Sequence, residues 1–413
     1  MNALPFAARL GDRSLFPSLT ARAYLAHAAI SPPSLATRAA VDALMSSYAE
    51  RGALQFGATV EQRARLRASL AALMNAEPGS VALIPNTSAG VTDIALCLPW
   101  NVGDTVLLFE GEFPANTTPW QRAAELFSLR LLWQRADDFR TDPARAFEAL
   151  DRALDGGVRL VALSQVQFQT GHRMPLRAIA ARARAKGAEV FVDAIQGLGA
   201  VPIDVQADGV DYLAAGSHKW LMGTEGTGVL YARPSCARAL RPHVSGWLSH
   251  EDPVRFLVAG AGHLRYDRPL RTSTDVVEGG TFSALSCAAL EAALTLLHAL
   301  TPARIHAHVN GYLDALEAGL TARGFRSLRD AAPEGRSCIL GVLPPDGCPM
   351  DVPTLSRALA TRGVTTSTPD GVLRFAPHWP NALSEVPVVL DAVDDALHGA
   401  GAPHADAPGR KLD

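Results

Sequence analysis

The 413-residue chain lacks the features of several broad protein classes. No apolar stretch reaches the roughly 18 residues that a membrane-spanning helix needs, and the first residues lack the basic start and apolar core of a secretory signal. The formal net charge of -3 provides no strongly basic surface for a nucleic acid. These absences predict a soluble, cytoplasmic protein with neither a membrane nor a nucleic-acid partner.

Cysteine is also scarce and irregularly spaced. The five cysteines are odd in number and include no Cys-x-x-Cys pair, which argues against a disulfide framework and a zinc site, so we expect no bound metal. No Gly-x-Gly-x-x-Gly follows the first predicted strand, which disfavours a dinucleotide-binding enzyme. With 48% apolar residues, the chain has enough core-forming side chains for two or three domains.

Short apolar strands alternate with amphipathic segments from residue 81 onward, a pattern typical of a parallel α/β sheet. We predict strands at 81–85, 105–109, 129–133, 159–163, 189–192, 211–214 and 229–232. We predict helices at 34–74, 89–98, 119–127, 143–154, 175–186 and 284–300, with another beginning at 301–302. Because ligands gather outside the carboxyl ends of parallel strands, residues that directly follow a strand are candidates for the functional site.

One lysine lies in an unusual position. The strand 211–214 leads into a Gly-Ser turn that presents His218 and Lys219, and a glycine-rich bend returns the chain into the strand 229–232. The surrounding residues are Ala, Leu, Met and Trp, whose burial would favour the neutral, nucleophilic amine of Lys219. Such a lysine suits imine formation, although a chance Ser-His-Lys in a turn is the alternative for the tripeptide alone.

The stretch around this lysine resembles the lysine signature of the class V aminotransferases, a family of pyridoxal-phosphate enzymes. The matching positions are Val210-Asp-Tyr-Leu213, Gly216-Ser-His-Lys219, Gly226-x-Gly228 and Leu230. The resemblance covers about residues 24–395 and includes members similar to isopenicillin N epimerase, cysteine desulfurase and kynureninase. It implies that Lys219 binds pyridoxal 5'-phosphate as an imine and that the protein is a homodimer with active sites at the interface.

The resemblance also implies a fold. We expect the α/β architecture of fold type I, similar to aspartate aminotransferase, with a large domain built on a mostly parallel seven-stranded sheet and a smaller C-terminal α+β domain. The expected limits are 1–60 for an N-terminal arm and helix joining the small domain, 61–290 for the large domain, 291–400 for the small domain and 401–413 for a disordered tail.

Three residues after the first strand fit the cofactor phosphate. Thr87, Ser88 and Ala89 open a helix, where backbone amides and the positive end of the helix dipole favour an anion. The resemblance assigns the phosphate to this pair of hydroxyls and to the amide of Ala89, whereas a plain helix cap is the alternative. The segment Glu278-Gly-Gly-Thr281 resembles a motif whose threonine reaches the phosphate of the neighbouring subunit. Val276 departs from the family, since many members have arginine there.

Three other side chains are candidates to contact the cofactor ring. Asp193 ends the fifth strand inside an apolar run, where a carboxylate is costly to bury unless it meets a cation such as a protonated ring nitrogen. The resemblance places Gln196 at the phenolic oxygen and Phe113 in a stack on the ring. A helix cap for Asp193 and ordinary core packing for Phe113 are the alternatives.

The candidates for the substrate come from separate parts of the chain. Arg374, in a segment similar to the family's C-terminal arginine motif, fits an amino-acid carboxylate because its guanidinium donates two parallel hydrogen bonds, with a structural ion pair as the alternative. Gln167 lies in a loop that is expected to face the substrate, although the sequence leaves open which of its glutamines points inward. His27 belongs to an opening motif, for which a proline-terminated strand end is an equal alternative. His218 is expected to modulate Lys219 or to contact the phosphate.

The reaction is less determined than the cofactor. We expect an aminotransferase acting on an amino acid or related amine, with an epimerase or a Cβ-eliminating or C–C-cleaving lyase as the alternative. A non-catalytic pyridoxal-phosphate-binding regulatory protein is the alternative of another class. Sulfur transfer is disfavoured because the loop 365–371 contains no cysteine; Cys348, farther upstream, is a remote candidate.

Overall fold

The computed structural model describes residues 6–398, so the tail predicted at 401–413 lies outside the described residues. Twelve strands are present within this range. They are β1 (Ala23–Tyr24), β2 (Val81–Ile84), β3 (Thr105–Glu110), β4 (Arg130–Arg135), β5 (Val158–Ser164), β6 (Glu189–Asp193), β7 (Tyr212–Gly216), β8 (Gly228–Ala232), β9 (Arg326–Ser327), β10 (Leu340–Leu343), β11 (Val364–Thr365) and β12 (Leu373–Phe375).

Thirteen α-helices lie between and around these strands in residues 6–398. They are α1 (Leu35–Arg51), α2 (Phe56–Met74), α3 (Thr87–Cys97), α4 (Thr118–Phe127), α5 (Asp138–Thr141), α6 (Pro143–Asp155), α7 (Leu176–Ala185), α8 (Pro234–Ala239), α9 (Arg255–Val258), α10 (Ala284–Leu300), α11 (Pro302–Thr321), α12 (Val352–Thr361) and α13 (Glu385–His398).

The helix predicted over 34–74 is interrupted. Ser34 caps its start by accepting a hydrogen bond from the amide of Thr37. Gly52 then adopts φ 53° and ψ −126°, which is outside the helical region, so α1 ends there and a short 3-10 turn leads into α2. The prediction of one continuous helix was therefore wrong at this glycine.

Seven strands form the large sheet in the order β2-β8-β7-β6-β5-β3-β4. Every neighbouring pair is parallel except the two that involve β8, which runs against β2 and β7. The mostly parallel seven-stranded sheet is confirmed, and its strands begin and end within two residues of the predicted positions.

Alternation along the strands divides the core into two layers. Val106, Leu108 and Leu160 pack against α3 and α4 on one face. Their neighbours Leu107 and Val161 pack on the opposite face, against a cluster that includes apolar residues of α2, α6, α7 and α10. Helices on both faces of the sheet bury β2 and β5 almost completely, whereas the edge strand β4 is largely exposed.

The C-terminal part contains a smaller antiparallel sheet, ordered β12-β10-β9. Strand β1 pairs in parallel with β11, which joins the N-terminal segment to this part of the chain. The expected domain limits stay predictions. Within residues 6–398 no single helix is long and apolar enough to cross a membrane, and only α10 and α11 taken together, bent by 76°, have that length and composition.

Candidate active site

The carboxyl ends of β2, β3, β5, β6 and β7 lie at one edge of the large sheet, because these strands run in the same direction. Residues that follow these strands within three positions supply Thr87, Glu112, Phe113 and Lys219, and Ser164 and Asp193 are the last residues of β5 and β6. The sheet therefore brings together side chains that are up to 132 positions apart in sequence, from Thr87 to Lys219.

Lys219 lies on the connection between β7 and β8. A side chain at Gly228 would collide with the backbone of Ala215 and Gly216, so only glycine allows the two strands to meet there. Ser31 fixes the turn from outside: its amide donates to the His218 carbonyl at 2.7 Å, and its hydroxyl donates to the Lys219 carbonyl at 2.6 Å. The amine is thus presented on a restrained turn.

The amine of Lys219 is largely desolvated. Desolvation lowers the pKa of Lys219 to about 8; the charge of Asp193 opposes this shift and that of Arg374 adds to it. A larger fraction of this amine is neutral near pH 7 than for a lysine with the usual pKa of about 10.4. The sequence-based expectation of an accessible nucleophilic amine agrees with this environment.

Asp193 has an oxygen atom without a partner. The residue is 1% exposed, its Oδ1 accepts a hydrogen bond from the amide of Ile195 at 2.9 Å, and its Oδ2 is buried with no hydrogen-bond partner among the described residues. Burial raises the pKa of Asp193 to about 7, the amide of Ile195 opposes this shift and the charge of Glu112 adds to it. An unpartnered buried carboxylate oxygen fits a protonated ring nitrogen.

Phe113 faces the lysine. Its ring centroid is 5.6 Å from Nζ of Lys219, and the residue is 45% exposed. The edge of the ring is fixed by a T-shaped contact with Phe168, with centroids 5.4 Å apart. An open aromatic face beside the amine fits a flat ring bound there, and the stacking role stays a prediction.

The three residues predicted at the phosphate differ in availability. The amide of Ala89 donates to Oδ1 of Asn86, which caps α3. This is the plain helix cap considered as the alternative, and it already occupies the amide that was expected to bind the phosphate. The Oγ1 of Thr87 accepts from the amide of Gly216 at 2.9 Å and keeps its own proton to donate. Ser88 is exposed. Thr87 and Ser88 are therefore the available donors.

Gln196 and His27 lie one layer behind the lysine. The Gln196 amide donates to the Ala28 carbonyl and accepts from the Trp220 indole, both at 3.0 Å. Nδ1 of His27 lies 2.8 Å from the Ser31 hydroxyl, whose proton goes to the Lys219 carbonyl, so His27 donates at Nδ1. These contacts support the lysine turn, and the predicted contacts of Gln196 and His27 with cofactor and substrate stay predictions.

Arg374 is a buried cation without an anion. It is 5% exposed, and its guanidinium donates to the Ser367 hydroxyl at 2.9 Å and to the Phe168 carbonyl at 2.5 Å. No carboxylate of residues 6–398 lies within ion-pair distance of it, so the structural ion pair considered above has no partner here. Burial lowers the pKa of Arg374 to about 10. A substrate carboxylate fits this position.

The sequence analysis missed Glu112. Its carboxylate accepts hydrogen bonds from the Ser164 amide at 2.8 Å, the Ser164 hydroxyl, the Gln167 side chain at 3.0 Å and the Asn116 side chain at 3.2 Å. Gln167 points at Glu112, Gln169 contacts the exposed Asp370 and Gln165 is also buried, so the substrate contact expected for Gln167 stays a prediction. The position of Glu112 immediately before Phe113, just after a strand, was the available signal.

His218 and Thr281 complete the predicted residues. The ring of His218 has no hydrogen bond within the described part of the chain, and desolvation, then the charge of Lys219, lowers its pKa. Thr281 is exposed and lies in a surface groove, not in the cluster around Lys219. The nearby Glu278 is fully buried and accepts from the Leu83 amide at 2.8 Å and from Arg63 and Arg67, which fixes the segment that carries Thr281.

Comparison with known proteins agrees with this geometry. The family model described as aminotransferase class-V matches residues 23–364. The chain belongs to the class-V aminotransferase family.

Individual relatives of this class V family member have several activities. This chain is 27% identical to an uncharacterized aminotransferase, YcbU, of Bacillus subtilis, over 92% of this chain and 96% of that protein. It is 32% identical to a cysteine desulfurase of Enterobacter sp. over 50% of this chain and 52% of that protein. A solved structure of the cystine C–S lyase C-DES, in complex with cysteine persulfide, superposes with a TM-score of 0.83 at 23% identity, covering 92% and 99% of the two chains.

These matches confirm the expected fold type I architecture and a pyridoxal-phosphate-dependent enzyme. The unpartnered Asp193 oxygen, the open face of Phe113 and the desolvated amine of Lys219 fit that cofactor.

Proposed function

We propose that this class V enzyme is an aminotransferase that acts on an α-amino acid. One observation carries the proposal: Asp193 and Lys219 at the edge of the large sheet and Arg374 on β12 of the small sheet are ionisable groups near one another, and none forms an ion pair within residues 6–398. Buried charges are costly without partners, so a ligand with a cationic ring, a carbonyl carbon and a carboxylate would complete all three.

Each residue then has a defined task. The bound cofactor supplies an aldehyde that condenses with amines and a ring that withdraws electrons. The amine of Lys219 would move a proton to and from the substrate Cα. Asp193 would keep the ring nitrogen protonated, Arg374 would hold the substrate carboxylate, and Phe113 would cover one face of the ring.

A Cβ-eliminating lyase is the second candidate. It is supported by the 32% identity to a cysteine desulfurase over half of the chain. A sulfur relay through cysteine is less well supported, because such a relay needs an accessible thiolate. Burial raises the pKa of four of the thiols, those of Cys97, Cys236, Cys287 and Cys338. The remaining thiol, that of Cys348, is half-buried. An epimerase would use the same Cα proton step.

A homodimer is part of the proposal. An apolar groove of about 690 Å³ contains Thr281 and exposed apolar side chains such as Phe56, Val60, Trp247 and Leu257. Such a surface favours a protein partner, and a second copy would place Thr281 near the partner site, as the family resemblance implies. Sedimentation of the purified protein tests this. The cytoplasmic location stays a prediction.

The reaction can be tested by incubating the cofactor-loaded protein with a panel of amino acids without an amino acceptor. An aminotransferase releases one keto acid per active site and no ammonia, and it then requires a second keto acid to continue. A lyase releases keto acid and ammonia continuously. If no amino acid changes the absorption spectrum, the non-catalytic alternative replaces both.

A further inference from the structure

Glu112 is surrounded by groups that donate hydrogen bonds. The amide of Ser164 and the side-chain amides of Gln167 and Asn116 all donate to it. The orientation of Asn116 is fixed because the Trp120 indole, which only donates, contacts its oxygen at 3.3 Å. A protonated carboxyl group would need an acceptor, and only the Ser164 hydroxyl can serve. The donors around Glu112 therefore match its ionised carboxylate form.

This carboxylate has no cation of its own. No lysine or arginine of residues 6–398 lies within ion-pair distance of it. It instead lies beside a second carboxylate, since Ser164 and Asp193 are register partners on β5 and β6, and the charge of Glu112 raises the pKa of Asp193. Burial raises the pKa of Glu112 as well, and its hydrogen bonds oppose that shift.

Glu112 also joins two loops. It precedes Phe113, whereas its donors Ser164 and Gln167 belong to the loop that carries Phe168. Phe168 contacts the ring of Phe113 and accepts the hydrogen bond of Arg374 through its carbonyl. The carboxylate of Glu112 thus holds together the two segments, 112–113 and 164–168, that lie between the proposed cofactor and substrate positions. These two segments are called the wall of the site.

We propose that Glu112 is a positioning residue that acts through Asp193, adding a second fixed negative charge where the cofactor ring nitrogen binds. The inference rests on the proposed cofactor at Lys219. A negative charge favours the protonated form of every titrating group that faces it. Asp193 from β6 is the titrating group on which the charge of Glu112 acts, and Asp193 in turn interacts with Lys219 from the turn after β7, which also interacts with His218 and with Arg374 from β12.

The test is a pH titration of the visible absorption of the bound cofactor. Glu112→Gln keeps the shape of the side chain and removes its charge, so the midpoint should fall by about one pH unit. Glu112→Asp keeps the charge and should keep a midpoint near that of the wild type. Glu110→Gln is the matched control, because Glu110 is an exposed carboxylate two residues earlier without a side-chain hydrogen bond in the described structure, and its midpoint should not move.

Glu112→Ser is a second neutral variant, so that the comparison does not depend on the folding of one protein. A lowered midpoint in either neutral variant supports the inference. Neutral variants that bind cofactor and titrate like the wild type overturn it while leaving the proposed function intact. A wild-type protein that shows no cofactor absorption overturns the proposed function and this inference with it.

Discussion

Nζ of Lys219 lies 5.6 Å from the centroid of the Phe113 ring, with the open face of the aromatic group toward the amine. A planar cofactor bound to the amine would therefore lie against this ring. The exposed fraction of 45% disfavours simple core packing of Phe113, and stacking on the cofactor stays a prediction.

Replacing Phe113 tests the stack. Phe113→Leu should weaken cofactor binding by about 3- to 10-fold, since an aromatic pair contributes about 0.5–1.5 kcal/mol beyond its buried area. Phe113→Tyr keeps the aromatic face and should bind like the wild type. Equilibrium titration of the cofactor-free protein measures both constants. Equal affinities for the Leu and Tyr variants would refute the stacking role.

Lys219 should be the site of covalent cofactor attachment. The chain has three lysines, so borohydride reduction followed by peptide mass mapping gives a clear assignment. Lys219→Ala should abolish the label and reduce turnover by about 10²- to 10⁴-fold, the usual contribution of a positioned proton-transfer group. Lys186→Ala is the matched control, because that lysine is exposed and paired with Asp155 at 2.7 Å. A label retained in the Lys219 variant would contradict the assignment.

Asp193 and Asp93 allow a comparison of two buried carboxyl groups. Burial raises the pKa of each to about 7 in the cofactor-free protein. Between about pH 4 and pH 7 the folded state then binds more protons than the unfolded state, so both groups lower stability as the pH rises. Asp193→Asn and Asp93→Asn should each raise the free energy of unfolding at about pH 8, by a few kcal/mol, and not at about pH 4.

Cofactor should separate the two variants. Asp193→Asn loses the partner of the ring nitrogen, so pyridoxal phosphate should stabilise it far less than the wild type. Asp93→Asn should keep the full cofactor effect, because Asp93 has no proposed contact with the ligand. Urea denaturation with and without cofactor at the two pH values measures this. Equal cofactor stabilisation of both variants would remove Asp193 from the ring nitrogen.

Much of the site was predictable because its residues follow apolar strands. Lys219, Asp193 and Phe113 were found by that rule together with the family resemblance. Glu112 obeys the same rule but was missed, since its role depends on Ser164 and Gln167, which are 52 and 55 residues away in sequence. Only the folded sheet shows that contact.

Other differences have local or long-range causes. The break at Gly52 and the capping of Ala89 by Asn86 are local and could have been read from residue type. The pairing of β1 with β11 could not, because Ala23 meets Val364 through strands of only two residues. The resemblance implied that the N-terminal segment joins the small domain, but strands this short carry no periodicity, so the pairing of β1 with β11 came from the structure.

Replacing Cys348 tests whether sulfur is transferred through a cysteine thiol or the reaction takes place on the substrate directly. It is the half-buried cysteine of the described chain, in the loop between β10 and α12, while the other four are buried. Cys348→Ser should leave turnover unchanged with amino acids, including sulfur-containing ones. The rate of sulfide release from cysteine, with and without added thiol, is the measurement. Loss of sulfide release in this variant would favour a desulfurase over the proposed aminotransferase.

Arg374 should determine recognition of the substrate carboxylate. Its guanidinium is buried, and within residues 6–398 it donates to the Ser367 hydroxyl and the Phe168 carbonyl alone, so the two-pronged contact with a carboxylate remains available. Arg374→Lys keeps a positive charge and loses that geometry; kcat/KM for the preferred amino acid should fall by about 10²-fold, since hydrogen bonds to charged groups contribute about 1.5–3 kcal/mol each. The matched control substrate is the amine with the same side chain and no carboxylate.

The wild type should use this amine poorly. Arg374→Lys should use the amine no worse than the wild type does, because the lost contact involves the carboxylate alone. An equal loss of kcat/KM for the amine and the amino acid would show that Arg374 supports the fold of the wall rather than the substrate.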